Sequence, residues 1–98
     1  MTYKQQLDNI VRNARNDQSN IVIANMMATS LMMQWEGGNA QCDQNAIYDT
    51  AHKLMHQKGF RELMKDPLAV TLAKQGRHLD LVQLMDVKEN EIRRAKEA

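Results

Sequence analysis

Cysteine is nearly missing from this sequence of 98 residues, since Cys42 is its only one. A single cysteine excludes an internal disulfide, and chains without disulfides are typical of reducing compartments. The first residues also lack the basic patch followed by an apolar run that marks a secretory signal peptide. We therefore expect a cytoplasmic protein.

The sequence also lacks a large excess of positive or negative charge. Thirteen basic and twelve acidic side chains leave a net charge of +1, whereas a domain dedicated to polyanions usually has an isoelectric point above about 9. Residues 53–77 are an exception, because six basic and two acidic side chains give them a net charge of +4. This segment is either a solvated basic face or a docking surface for phosphate groups or an acidic protein. In the second case the partner-binding residues are Arg61, Lys65, Lys74 and Arg77.

Signals for β-structure are absent throughout the sequence. No segment shows the alternation of β-branched and aromatic residues that a strand needs, and neither Asn-Gly nor Asp-Gly occurs. Catalytic signatures and cofactor fingerprints are also missing. We therefore predict an all-α protein, and we expect neither an enzyme nor a bound cofactor.

The strongest positive signal is an uncharged segment, residues 18–35. Between Ile21 and Trp35 its apolar side chains spread around the whole helical circle, as in a helix buried on nearly every side. Its several polar residues, and the lack of directly flanking lysine or arginine, argue against a membrane span. We predict a single domain over 1–98, a compact bundle of about five to six helices around a central helix at about 20–36.

Capping and helix-breaking residues predict the limits of the first helices. The segment Thr2 to Gln5 fits a capping box, so a first helix starts there and ends near Asn16. Gly37 and the two residues after it end the central helix. Asp43 then caps a third helix, which we expect to end at Lys58-Gly59.

The second half of the chain predicts shorter helices. Asp66 caps one of them, Pro67 starts it and Gly76 closes it. Beyond Asp86 few apolar residues remain, and the segment around this residue looks like a new helix start. We therefore predict a polar C-terminal helix at about 87–97 that projects or frays.

Residues 81–95 resemble a helix-turn-helix, because their apolar residues match the spacing of that family. The matching positions are Leu81, Met85, Val87, Ile92 and Ala95. The resemblance implies a DNA-binding regulator whose second helix contacts base edges and phosphates. Asp86 departs from the pattern, since glycine usually stands at this turn. The implied DNA-binding residues are Lys88 and Asn90 for the bases and Arg93 and Arg94 for the backbone.

His52 and His56 have the four-residue spacing that directs two imidazoles at one metal ion. Two ligands do not complete a site, and nothing in the sequence orders a third from Cys42, Asp49 or His78. We therefore interpret the two histidines as exposed or half-buried helix residues and expect no metal.

The leading hypothesis is a small intracellular protein-interaction module, such as an adaptor or an inhibitor of a larger enzyme or assembly. Seven methionines on the central helix and the segments around it indicate an adaptable apolar surface. So small a chain can hardly cover an all-round apolar helix, which leaves area for a protein partner or a second copy. Short solitary chains are frequent in phages and mobile elements, which suggests such an origin. DNA binding through residues 81–95 is the alternative.

Overall fold

Six helices make up the computed structural model, which describes residues 1–97. They are α1 (Tyr3–Ala14), α2 (Asn20–Glu36), α3 (Gln44–His56), α4 (Lys58–Lys65), α5 (Pro67–Lys74) and α6 (His78–Glu97). The only β-type pairing in these residues is an isolated bridge between Thr2 and Gln41. The predicted all-α helical bundle is therefore confirmed.

Side-chain caps begin three of the helices where the sequence predicted them. The Thr2 hydroxyl accepts a hydrogen bond from the Gln5 backbone N–H, and the Gln5 side chain accepts one from the Thr2 N–H. Asp43 caps α3, and Asp66 caps α5 with Pro67 in its first turn. Each cap gives a partner to backbone N–H groups that the helix itself cannot satisfy.

α2 is the central helix, as predicted. It packs against α1, α3 and α6, and side chains along its middle, such as Ile23, Met26 and Met27, have no exposed surface. Burying one such side chain contributes about 1.5–3 kcal/mol. Its two ends reach solvent, where Ile21 is 46% and Trp35 is 65% exposed. The core is therefore built around α2.

No helix within residues 1–97 combines the length and the apolar character needed to cross a membrane. Two polar residues of α2, Thr29 and Ser30, are instead buried inside the protein. Thr29 is fully buried, and its hydroxyl donates to the carbonyl of Asn25 at 2.7 Å.

The boundary between α3 and α4 differs from the prediction. Gly59 was expected to end the third helix, but α3 ends at His56 and Gly59 lies in the first turn of α4. Gln57 makes the break with an extended backbone, φ −79° and ψ 142°, which requires no glycine. Gly59 is buried instead, and its N–H donates to the Glu89 carboxylate on α6 at 2.6 Å. An added Cβ at this position would collide with the Glu89 side chain.

α6 is one continuous helix, so the predicted break at Asp86 and a separate helix at about 87–97 are wrong. Asp86 is exposed, and inside a helix the backbone N–H groups already bond to carbonyls, which leaves it nothing to cap. Contacts on either side hold the helix together. Met85 is buried. Lys88 donates to Asp66, the capping residue of α5, and Glu89 accepts from the backbone N–H of Gly59 in α4.

Gly76 forms the turn between α5 and α6. Its N–H donates to the Ala73 carbonyl at 3.1 Å, and the Arg77 N–H donates to the Leu72 carbonyl at 2.9 Å. This pair of bonds is the Schellman arrangement, which needs a left-handed residue between the helices. Gly76 supplies it with φ +70°, and an added Cβ would lie 2.6 Å from Cγ1 of Val11 on α1.

We expect Gly76→Ala to lower the free energy of unfolding by about 1–3 kcal/mol, because alanine is strained at positive φ and its methyl group meets Val11. For a chain of this size, each kcal/mol lowers the midpoint of thermal unfolding by about 4–8 °C. Gly38→Ala is the matched control, since its Cβ would make ordinary contacts of 3.7 Å or more. Equal midpoints for the two variants would contradict the prediction.

Candidate functional site

A groove of about 350 Å³ with convergent polar groups lies between α1 and α3, with α2 beneath it. We call it the amide groove. Its lining residues are Gln6, Ile10 and Asn13 on α1, Val22 and Asn25 on α2, and Gln44, Ile47 and Tyr48 on α3.

The N-terminal residues hold the two walls of this groove in place. The backbone N–H of Tyr3 donates to the Ala40 carbonyl at 3.2 Å, and that of Lys4 donates to the Gly38 carbonyl at 3.1 Å. The buried Tyr3 hydroxyl also accepts from the backbone N–H of Asp43, the capping residue of α3, at 3.2 Å. The start of α1 is thereby joined to the start of α3, while both helices pack on α2.

The chemistry of the amide groove is polar but uncharged. Four of its side chains are amides, and none of the eight carries a charge at neutral pH. Among the side-chain hydrogen bonds of residues 1–97, none involves the side-chain amide of Gln6, Asn13, Asn25 or Gln44. Ile10 and Ile47 are buried beside them. The groove therefore offers free hydrogen-bond donors and acceptors next to an apolar base.

An exposed row of rings continues from the amide groove along α3. Tyr48, which is 64% exposed, stacks on His52 with ring centroids 6.0 Å apart and planes inclined by 9°. His52 in turn meets the edge of the His56 ring at 4.6 Å, and the two Nε2 atoms lie 3.2 Å apart. The four-residue spacing of the two histidines indicates this pair from sequence. Tyr48 lies four residues before His52, so the same spacing also identifies it as a neighbour of the pair.

The four basic residues predicted to bind a partner are all exposed but do not form one cluster. Arg61 and Lys65 on α4 border Ile92 of α6. Lys74 ends α5, and Arg77 directly precedes α6. At about 1.5 Å per residue, the helix between Arg77 and Ile92 spans about 22 Å. The structure does not bring the four side chains together, and none of them lines the amide groove.

The geometry implied by the helix-turn-helix resemblance of residues 81–95 is wrong, because these residues lie within one helix. Lys88 donates to the carboxylate of Asp66 at 2.8 Å, with both side chains partly buried. This hydrogen bond lowers the pKa of Asp66 and raises the pKa of Lys88. A second hydrogen bond, from the backbone N–H of Leu68, also lowers the pKa of Asp66. Asn90 accepts a hydrogen bond from Arg93, and both lie with Arg94 on the exposed end of α6.

Ser30 and His78 form a partly buried polar link between α2 and α6. The Ser30 hydroxyl and His78 Nδ1 share a hydrogen bond of 2.9 Å, and Ser30 has no exposed surface. Burial lowers the pKa of His78, although the nearby Asp8 and Asp80 carboxylates oppose the shift. The neutral imidazole is therefore the form that the fold favours.

Cys42, the one cysteine, lies in the connection before α3 and is half-buried. Burial is the main cause that raises the pKa of its thiol, with Asp43 acting in the same direction and the N-terminal ammonium group against it. Since thiolates are the reactive form, the raised pKa lowers its reactivity.

Comparisons with family models, with curated proteins and with solved structures found no match to this chain.

We expect the protein to lose stability as the pH falls from about 7 to about 5, in part through His78. Its pKa is lower in the folded chain than in the unfolded chain, so the unfolded state binds more protons in this range. The free energy of unfolding therefore decreases on acidification. Urea unfolding of wild type and His78→Gln at several pH values measures this contribution. The variant should show a shallower pH dependence, and identical slopes would contradict the assignment.

Substitutions of Lys88 and Arg94 test whether the ion pair on α6 stabilises the fold, because Lys88 is paired whereas Arg94 lies on the surface. Lys88→Met leaves the partly buried Asp66 carboxylate without its partner, so the midpoint of thermal unfolding should fall. Arg94→Met changes an exposed residue and should leave it unchanged. Lysine, arginine and methionine have similar helix propensities, so the comparison isolates the ion pair. A midpoint unchanged in Lys88→Met would show that the Asp66 contact does not stabilise the fold.

Proposed function

We propose that this chain is a protein-interaction module that binds a short, extended, uncharged peptide segment of a partner protein in the amide groove. The observation that carries the proposal is the set of four amides, without protein partners, that converge above apolar side chains. Ligand sites in proteins typically combine an apolar surface with a few convergent polar groups.

An extended peptide fits the hydrogen-bonding chemistry of this groove. Each asparagine or glutamine side chain presents both a carbonyl acceptor and NH₂ donors, and an extended backbone presents unpaired N–H and C=O groups in the same way. From Gln6 to Asn13 the α1 wall is about 10 Å long. That length corresponds to about three residues of extended peptide. Side chains of the peptide would pack on Ile10, Ile47 and the exposed ring of Tyr48.

The absence of charge in the groove distinguishes this proposal from docking on the basic segment. Contacts made through Arg61 or Lys65 would weaken as salt is added, because exposed charges are screened. Hydrogen bonds between amides and a peptide backbone involve no net charge, so the expected complex is stable to salt. An adaptor or an inhibitor acting in the cytoplasm, where Cys42 stays reduced, would work through this contact.

A photo-crosslinking experiment tests the proposal. A benzophenone amino acid placed at position 48 should crosslink one partner protein in a lysate of the source organism, at low salt and at about 0.5 M salt alike. The same probe at position 35 is the matched control, since Trp35 and Tyr48 are equally exposed, at 65% and 64%. Position 35 lies at the far end of α2, so a probe there should not capture that protein.

The groove itself is tested by adding a charged side chain to it. Asn25→Arg in the position-48 probe protein should abolish the crosslink, whereas Gln34→Arg, on the exposed part of the same helix, should not. Circular dichroism establishes that both variants remain helical. A product that survives Asn25→Arg, or one that joins two copies of this chain, would refute the proposed occupant.

A further inference from the structure

The exposed histidines of α3 form a second candidate site, which is independent of the amide groove proposal. His52 Nε2 and His56 Nε2 lie 3.2 Å apart. Both side chains are exposed, and the rings meet at 83°. A neutral imidazole carries a lone pair on one ring nitrogen, so this pair can direct two lone pairs at one point in solvent.

The separation of these nitrogen atoms suits a first-row transition metal. Zinc binds imidazole nitrogen at about 2.0–2.1 Å. Two such bonds to atoms 3.2 Å apart give an angle at the metal of about 103°, close to the tetrahedral value of about 109°. The observed separation therefore allows both nitrogens to bind one ion.

We propose that His52 and His56 bind one divalent ion of the zinc, nickel or copper class through their Nε2 atoms. Imidazole ligands prefer these ions, whereas magnesium and calcium prefer oxygen ligands. Water fills the remaining coordination positions in the isolated protein, because residues 1–97 offer no group of three or more metal-binding side chains. The site is thus open, and a donor from a second molecule can complete it.

The surroundings of the pair set its expected strength. His56 is the last residue of α3, and the negative end of a helix favours a cation. The Arg61 guanidinium already donates to the His56 carbonyl at 3.1 Å, and Lys53 adjoins His52 in sequence, so two positive charges oppose the ion. With two protein ligands and these charges, binding should be weaker than at a complete structural zinc site.

Calorimetric titration with Zn²⁺ near neutral pH tests the site. We expect one ion per chain, an affinity at least about tenfold lower in His52→Gln or His56→Gln (about 1.4 kcal/mol), and no binding of Mg²⁺. Lowering the pH should weaken binding, because protons compete for both nitrogen atoms. Cu²⁺ should also broaden the NMR signals of His52, His56 and Tyr48, a readout that reports where the ion binds.

Two control variants make the result decisive. His78→Gln removes the third histidine, which is bonded to Ser30, and Cys42→Ser removes the thiol; both should bind Zn²⁺ like the wild type. One ion per two chains, lost in His52→Gln, also supports the proposal, with a second copy completing the coordination. No binding at millimolar Zn²⁺, or equal binding in His52→Gln and wild type, would overturn it.

Discussion

The burial of α2 is the constraint on which the rest of the structure depends. A helix that is uncharged from Asn20 to Trp35 and has apolar side chains on every side must be covered by other segments, and a chain of 98 residues has few of them. α1 and α3 cover two sides and α6 covers a third. The amide groove lies where the two neighbouring helices, α1 and α3, diverge above α2, and Asn25 is the polar residue of α2 in that gap. The candidate binding site thus includes a part of α2 that the neighbouring helices leave partly open.

The second half of the molecule depends more on polar contacts between helices. α4 and α5 have eight residues each, too few to be stable helices alone. The Glu89 carboxylate accepts from the start of α4, and Lys88 pairs with the cap of α5. Because consecutive residues of α6 hold two different helices, this polar region of the chain positions the smaller elements. In the folded protein the Lys88 ammonium group is thus paired with the Asp66 carboxylate.

The two proposed sites adjoin along α3 at Tyr48 but use different chemistry. The amide groove faces α1 and offers neutral hydrogen-bonding groups, whereas His52 and His56 face solvent and offer lone pairs. Tyr48 belongs to both surfaces, since it lines the groove and stacks on His52. A partner segment lying in the groove would therefore pass close to the histidines, where one of its own side chains could complete the coordination of a metal ion.

The sequence by itself determined the helical class, the central helix and the caps at Thr2, Asp43 and Asp66. These features depend on side-chain periodicity and on bonds between residues a few positions apart, which a sequence displays directly. Only the tertiary structure decided whether α6 continues through Asp86, because contacts with α4 and α5 stabilise that stretch. It also decided that Gly59 packs against Glu89 rather than ending a helix. The amide groove was not predictable from sequence, because its walls come from three different helices. In addition, asparagine and glutamine occur both on binding surfaces and on solvated helix faces, so their positions in a sequence do not distinguish the two.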